Sequence, residues 1–478
     1  MVVGVIGGGP AGVTAAYELA KHGVSVDLYE AGDTLGGLAR SMRLWNQTVD
    51  LGPHRFFSKL RRVNELWLEV VGRDYAMVNR NTRIYYNGKF FHYPLRPMNA
   101  LSQLGPIEAL HCVGSYFKEQ VAPSRRGSLD TFEDWVVDRF GRRLFEIFFR
   151  TYSEKLWGIS CNKLDSDFAA QRIKKLNLLE ALKNTVQRPK SNPRHQTLVD
   201  QFAYPLQGTG MVYRRMGELV EHHGGRVLLR TPVQRVLTKD GRAFAIELDN
   251  GETKFYDSII SSMPISLLVS RLPEVPDEVR ESALSLRFRN TILVYLNIPS
   301  ESLFPDQWLY VHSENVRMGR ITNFRNWVPQ LNAGEESTIL AIEYWANDED
   351  ALWANDDTLL IQLAQEELRK TGLIADEPIL GGHVVKIRRC YPVYRAGYKE
   401  VLRPVMDYLK DIDGLQAIGR YGAFKYNNQD HSILMGLMAA ENIAHGANHD
   451  LWGVNTDYED YQESAVITES GLSVSGAG

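Results

Sequence analysis

The hydrophobic pattern changes period twice within the first thirty residues. Val2–Ile6 is a short, continuous apolar run rich in β-branched residues, the pattern of a buried strand. From Val13 to His22 apolar and small residues recur at helical spacing, and Gly23 supplies a stop. Residues 24–29 return to a strand pattern, so the order predicts a βαβ unit. Two aromatic-rich runs within residues 83–93 flank Asn87-Gly88, which predicts a hairpin. From about 100 to 200 the pattern turns helical: 132–149 and 176–186 are amphipathic, and 187–195, with Pro189 and Pro193, reads as an exposed loop. Strand patterns resume at 226–229 and 233–237. A hairpin at Asp249-Asn250-Gly251, a strand at 257–264 and several more between 290 and 345 follow. Another strand at 415–419 precedes a helix over 432–444, and the polar, small-residue tail beyond Tyr461 reads as disordered.

Composition narrows the class. The chain has 478 residues, enough for several structural units, and is 44% hydrophobic and 23% charged, which excludes disordered, collagen-like and coiled-coil proteins. A net charge of −4 gives no global attraction to nucleic acid. No apolar run reaches the ~18 residues of a membrane span and no signal-like segment precedes the first strand, so a cytoplasmic protein is expected. Cys112, Cys161 and Cys390 show neither a CxxC pair nor metal-ligand spacing, so no disulfide framework and no metal are expected.

The first strand runs into Gly7-Gly8-Gly9-Pro10-Ala11-Gly12, and the second ends at Glu30. At that spacing Gly7 permits a tight turn, Gly9 lets a pyrophosphate approach the backbone, and Gly12 allows helix and strand to touch. The phosphates then meet the free amides of a helix N-terminus, while Glu30 can accept hydrogen bonds from a ribose. A second glycine pair, Gly36-Gly37, followed by Arg40, resembles the extended fingerprint of FAD-binding proteins of the glutathione-reductase-like class. That resemblance implies FAD rather than NAD.

Later motifs carry a family resemblance. Val49-Asp50-Leu51-Gly52-Pro53-His54-Arg55-Phe56-Phe57, the run from Tyr152 through Trp157-Gly158, and Gly419-Arg420 through Asn428-Gln429-Asp430-His431-Ser432 are similar to UDP-galactopyranose mutases. They also resemble the wider amine oxidase and protoporphyrinogen oxidase superfamily. The resemblance implies an α/β fold: an FAD-binding Rossmann-like domain from residues 1–95, 201–265 and 401–463, a helical insertion at 96–200, a mixed β-sheet substrate domain at 266–400, and a flexible tail at 464–478. It implies an isomerase that uses reduced flavin N5 as nucleophile to interconvert pyranose and furanose forms of a nucleotide-diphosphate sugar, with NAD(P)H a candidate reductant and a homodimer a candidate assembly. The alternative is an FAD-dependent oxidoreductase of the amine oxidase or protoporphyrinogen oxidase type.

The resemblance also implies site residues. Arg172 and Arg320 match the cations that grip the diphosphate, and His54 the histidine beside the flavin. Trp157, Tyr310, Asn323, Tyr391 and Tyr426 fall at substrate positions. Val233, Gly419, Arg420, Gln429 and Ser432 join the glycines, Glu30 and Arg40 at the cofactor. Pro53 stands where the mutases carry glycine; proline fixes φ and removes an N–H, which predicts a loop without their redox-linked peptide movement.

Overall fold

The computed structural model describes residues 1–95, 97–122, 129–167, 201–454 and 465–474. Arg172 and the helical and loop segments expected over 176–195 lie outside the described residues.

Two sheets dominate. The first has five parallel strands in the order Leu415–Ala417, Ser258–Ser261, Val2–Ile6, Ser25–Tyr29, Arg226–Leu228. Its central strand is the N-terminal one, and burial of Val3 and Val5 on one face and of Gly4 and Ile6 on the other is what a strand covered on each face requires. The helix Pro10–Lys21 lies on this sheet with the long helix Gln429–Ala444 across it. Their close crossing needs Gly436: a Cβ there would stand 2.5 Å from Ala11 O and 2.8 Å from Thr14 Cβ. The parallel sheet thus gathers strands from three distant stretches of sequence.

The second sheet has seven strands, in the order Gly381–Pro392, Phe288–Ile298, Thr338–Ala346, Arg320–Asn323, Trp308–Val311, Thr82–Tyr86, Lys89–His92. The last two are the hairpin expected at Asn87-Gly88, whose two residues take φ +46° and +78° as a tight turn requires. Thr82–Tyr86 pairs in parallel with Trp308–Val311, so this hairpin extends the mixed sheet rather than the cofactor domain to which residues 1–95 were assigned. Helices Pro106–Val121, Phe132–Phe140 and Thr151–Trp157 form the helical part. Gly141, at φ +80°, breaks the single helix expected over 132–149.

The tail is the other correction. Ala465–Thr468 and Gly471–Val474 pair as an antiparallel hairpin, and Ala465 and Ile467 are buried. Small polar residues hid a two-residue apolar alternation that packs beside the helix Arg61–Val71. Among the described residues, no helix is long and apolar enough to cross a membrane.

Candidate flavin and substrate site

The glycine turn is built as its spacing predicts. Gly7 takes φ +97°, and a Cβ on Gly12 would lie 1.9 Å from Gly7 O, so strand and helix are in backbone contact. Gly9 is different: the nearest atom to a Cβ there is Gly37 Cα at 4.0 Å, leaving the turn open above it. The second glycine pair docks onto the first, Gly36 N donating to Gly8 O at 2.8 Å and a Cβ on Gly37 falling 3.1 Å from Gly9 Cα. Glu30 accepts from Gly8 N and Gly32 N, both at 2.7 Å. The helix starting at Pro10 has no side-chain cap, which leaves its first amides to a ligand. Arg40 is half-buried, and no acceptor among the described residues holds its guanidinium. An open backbone cradle, uncapped amides and an unclaimed cation fit the pyrophosphate of FAD.

The His54 loop forms a second wall. Its N-terminal anchor is Asp50, 1% exposed, which accepts from Ser41 Oγ at 2.5 Å, Tyr204 OH at 2.6 Å and Thr209 N at 3.2 Å. Thr209 Oγ1 in turn donates to His54 O at 2.8 Å, and Gln429 Nε2 reaches the same carbonyl at 3.4 Å. His54 N donates to Gly52 O at 2.9 Å, closing a three-residue turn around Pro53, whose ring-fixed φ suits that geometry. His54 Nδ1 is buried with no partner among the described residues. Burial, with the charges of Arg320 and Arg420, pushes the imidazole down to about 3, so it is neutral.

Opposite the loop stands Arg320, and a Cβ on Gly52 would lie 3.8 Å from its Nη2. Arg320 and Glu343 are register partners on adjacent strands. Arg320 Nε and Nη2 donate to the Glu343 carboxylate at 2.7 and 2.8 Å, and Tyr391 OH and Trp345 Nε1 donate to its Oε1 at 3.1 and 2.9 Å. Desolvation opposes the Arg320 charge, yet Glu343 and nearby tyrosines outweigh it and hold its pKa above the ordinary value. Arg320 Nη1 has no acceptor among the described residues, and neither do the hydroxyls of Tyr152 and Tyr310, whose rings meet edge to face at 5.6 Å. Tyr391 and Tyr426 complete the aromatic wall, with centroids 5.6 Å apart and Arg420 over both rings at 4.9 and 4.6 Å.

The remaining expected residues divide. Gly419, at φ +80°, seats against the first helix, where a Cβ would be 2.9 Å from Ala11 Cβ. Arg420 donates to the carbonyls of Cys390 and Asn427, so it braces the aromatic wall. Gln429 is committed by its side chain to Tyr213 OH and the His54 loop, and Ser432 Oγ to Asn427 Oδ1 at 3.4 Å. Val233 is buried and its carbonyl is taken by Arg271 Nη1. Two of the residues expected at the substrate are turned inward. Asn323 is 1% exposed; its Oδ1 caps Arg325 N and its Nδ2 donates to Phe304 O, because a strand ends there in a 3-10 turn. Trp157 is 1% exposed, edge-on behind Tyr391 and Tyr426, and its position follows from Arg289, which binds the carbonyls of Lys155 and Leu156 beneath Gly158.

Glu343, Tyr152, Trp345, Asp50 and Thr209 were missed as site residues. Glu343 did leave a signal: it is a lone acid in Thr338–Ala346, an otherwise almost wholly apolar strand buried along its whole length.

The model of the flavin-containing amine oxidoreductase family matches residues 10–443. The chain belongs to that family. A coproporphyrinogen III oxidase of Mycobacterium tuberculosis is 24% identical over 425 residues, 83% of this chain and 88% of that protein. A Klebsiella pneumoniae protein bearing the name "Probable UDP-galactopyranose mutase" is 26% identical over 178 residues, 34% of this chain and 42% of that protein. The crystal structure of a reduced UDP-galactopyranose mutase superposes with a TM-score of 0.83 at 23% identity, covering 96% of this chain and 97% of the other. The fold is therefore that of the flavin-binding amine oxidase superfamily, and the protein is a flavin-dependent enzyme of that group.

Proposed function

We propose that the protein is an FAD-dependent mutase acting on a nucleotide-diphosphate sugar. One observation supports this reading above the others: Arg320 Nη1 and the hydroxyls of Tyr152 and Tyr310 have no acceptors among the described residues, across the cleft from the His54 loop. A cation flanked by hydroxyl donors is suited to a diphosphate, which must be held while its bond to the sugar breaks and reforms. Arg320 grips that group, oriented by Glu343, and Arg172 is the second cation. Tyr391 and Tyr426 give the sugar and base a flat, amphipathic face. Neutral His54 presents Nδ1 to the cofactor side without adding charge. The glycine cradle, Glu30 and Arg40 hold the cofactor, which when bound and reduced would supply a nucleophilic N5. NAD(P)H is the proposed reductant.

A second reading is an oxidase, and Glu343 favours it. By neutralising Arg320 inside an aromatic wall it weakens the pull on an anion, and the coproporphyrinogen III oxidases match far more of the chain than the Klebsiella protein does. The experiment is anaerobic: dithionite-reduced, FAD-loaded protein is incubated with a panel of uridine and thymidine diphosphate sugars, and products are separated chromatographically. Ring-contracted product without net loss of reductant is the expected result. No conversion of any sugar there, together with oxygen consumed in step with oxidation of a porphyrinogen in a parallel aerobic assay, would refute the mutase reading.

A further inference from the structure

The strands Trp308–Val311 and Arg320–Asn323 are joined by a loop over residues 312–319, whose base closes where Val311 N donates to Gly319 O at 2.8 Å. One side chain from another element enters this loop. Lys155 Nζ donates to Ser313 O at 2.7 Å, Met318 O at 3.1 Å and Val311 O at 3.4 Å. An ammonium has three N–H donors and no acceptor, so all three are engaged by the loop and none is left for a substrate. Glu367, 4% exposed, holds the same loop by its amides, accepting from Arg317 N at 2.6 Å and Met318 N at 2.9 Å.

The groups that face the cleft sit next to these contacts. Tyr310 immediately precedes Val311, and Arg320 comes two residues after Met318. Tyr152 lies three residues before Lys155 on the helix Thr151–Trp157, so the two share a face. Within the loop, His312 stacks on Tyr152 with ring centroids 4.8 Å apart and planes at 18°. Gly319 lies flat on Trp345, where a Cβ would stand 1.8 Å from Cζ3, and Trp345 meets the Tyr152 ring edge to face at 5.6 Å. One ammonium thus joins the helix that bears Tyr152 to the hairpin that bears Tyr310 and Arg320. Burial pushes its amine down to about 8, against the raising charges of Glu367 and Glu314. A methionine would fill the same space without that desolvation cost, so packing alone does not call for a lysine; what three directed hydrogen bonds add is a single relative placement of helix and hairpin.

We propose that Lys155 is a positioning residue, which sets the spacing of Tyr152, Tyr310 and Arg320 to that of a diphosphate by tying helix to hairpin without touching the ligand. The inference rests on the reading of those three groups as the diphosphate grip.

The test uses the full-length, FAD-loaded, dithionite-reduced protein, titrated anaerobically with UDP and with dTDP by calorimetry. Lys155→Met keeps the length of the stem and removes the three donors. It should weaken the tighter-binding nucleotide about tenfold in the otherwise unaltered protein, but no more than about threefold where Tyr152→Phe and Tyr310→Phe are already present, because two of the three groups it aligns are then gone. Flavin content should stay the same throughout. A general loss of stability would act equally in both backgrounds, so equal losses, or no loss in either, would overturn the inference while leaving the grip itself standing. Failure of both nucleotides to bind the unaltered protein would overturn the diphosphate reading and this inference with it. Should Lys155→Met fail to fold, Lys155→Arg runs through the same cycle with the same outcomes, since its planar fork keeps the charge but cannot direct three donors into one loop.

Discussion

Arg320→Ala probes the site through its energetics as well as its chemistry. Glu343 is 2% exposed and accepts from Arg320 Nε and Nη2, Tyr391 OH and Trp345 Nε1. Truncating the arginine leaves a buried carboxylate with two neutral donors and no cation. Breaking one side of a buried pair costs ~3–5 kcal/mol, and because the Arg320 side chain keeps 16% exposure, the lower end applies, about 3 kcal/mol. Removing both charges with Arg320→Met and Glu343→Leu should recover most of that loss, since well-packed apolar replacements of buried pairs are often neutral or better. The two substitutions should therefore be strongly non-additive. Chemical denaturation of the FAD-loaded variants, followed by circular dichroism and by flavin fluorescence, measures this. A loss under ~1 kcal/mol for Arg320→Ala, or a double variant equal to the sum of the singles, would refute the assignment of the pair as a desolvated unit. Under the mutase reading both variants also lose nucleotide-sugar affinity while keeping their yellow colour, because the glycine cradle does not touch Arg320.

Two further predictions concern the cofactor cradle and pH. Gly9→Ala places a methyl where the nearest neighbour is 4.0 Å away, so the apoprotein should unfold at an unchanged midpoint while flavin retention drops; a variant that binds FAD normally would show that the pyrophosphate does not cross Gly9. Burial pushes Asp50 up to about 6 against lowering hydrogen bonds from Ser41, Tyr204 and Thr209, whereas His54 is pushed down to about 3. The Asp50 contribution to stability is thus complete below its ordinary value near 3.8 and lost as pH rises through about 6, while that of His54 is complete above its ordinary 6.5 and lost as pH falls toward 3. Asp50→Asn should remove the first slope, and the His54 ring should show no NMR titration between about pH 5 and 8; a midpoint near its ordinary value would mean the ring is solvated.

The cofactor half of the site was legible because its constraints are local. Gly7, Gly9, Gly12 and Glu30 sit within one βαβ unit, and each is fixed by what the next turn of backbone allows. Gly36-Gly37 was readable for the same reason. The wall around Arg320 is assembled from strands far apart in sequence, so the lone acid Glu343 in an apolar strand gained its partner only through its register with Arg320. Asn323 and Trp157 sit in segments matched by motif yet are turned inward, since motif position fixes the backbone and not the direction of a side chain. The terminal hairpin escaped because four-residue strands of small residues carry little periodic signal.

Pro53 sharpens the choice between the two readings. Where the mutases carry a glycine, this chain closes a turn from Gly52 O to His54 N around a ring that cannot rotate. The carbonyl of His54 is held from two directions, by Thr209 Oγ1 and Gln429 Nε2, and the anchor Asp50 is itself fixed by three groups. A loop pinned at both ends leaves little room for a peptide to turn over when the flavin changes oxidation state. If the mutase reading holds, the reduced state must then be recognised by fixed groups rather than by a moving one: Arg320 and Arg420, which flank Tyr391 on one wall, and the neutral imidazole of His54 on the loop facing them. That arrangement predicts flavin spectra and substrate affinity that vary with redox state through charge alone. Pro53→Gly should restore loop freedom without altering flavin content, and a large gain in the affinity difference between oxidised and reduced enzyme would show that the proline, not the substrate wall, sets this protein apart.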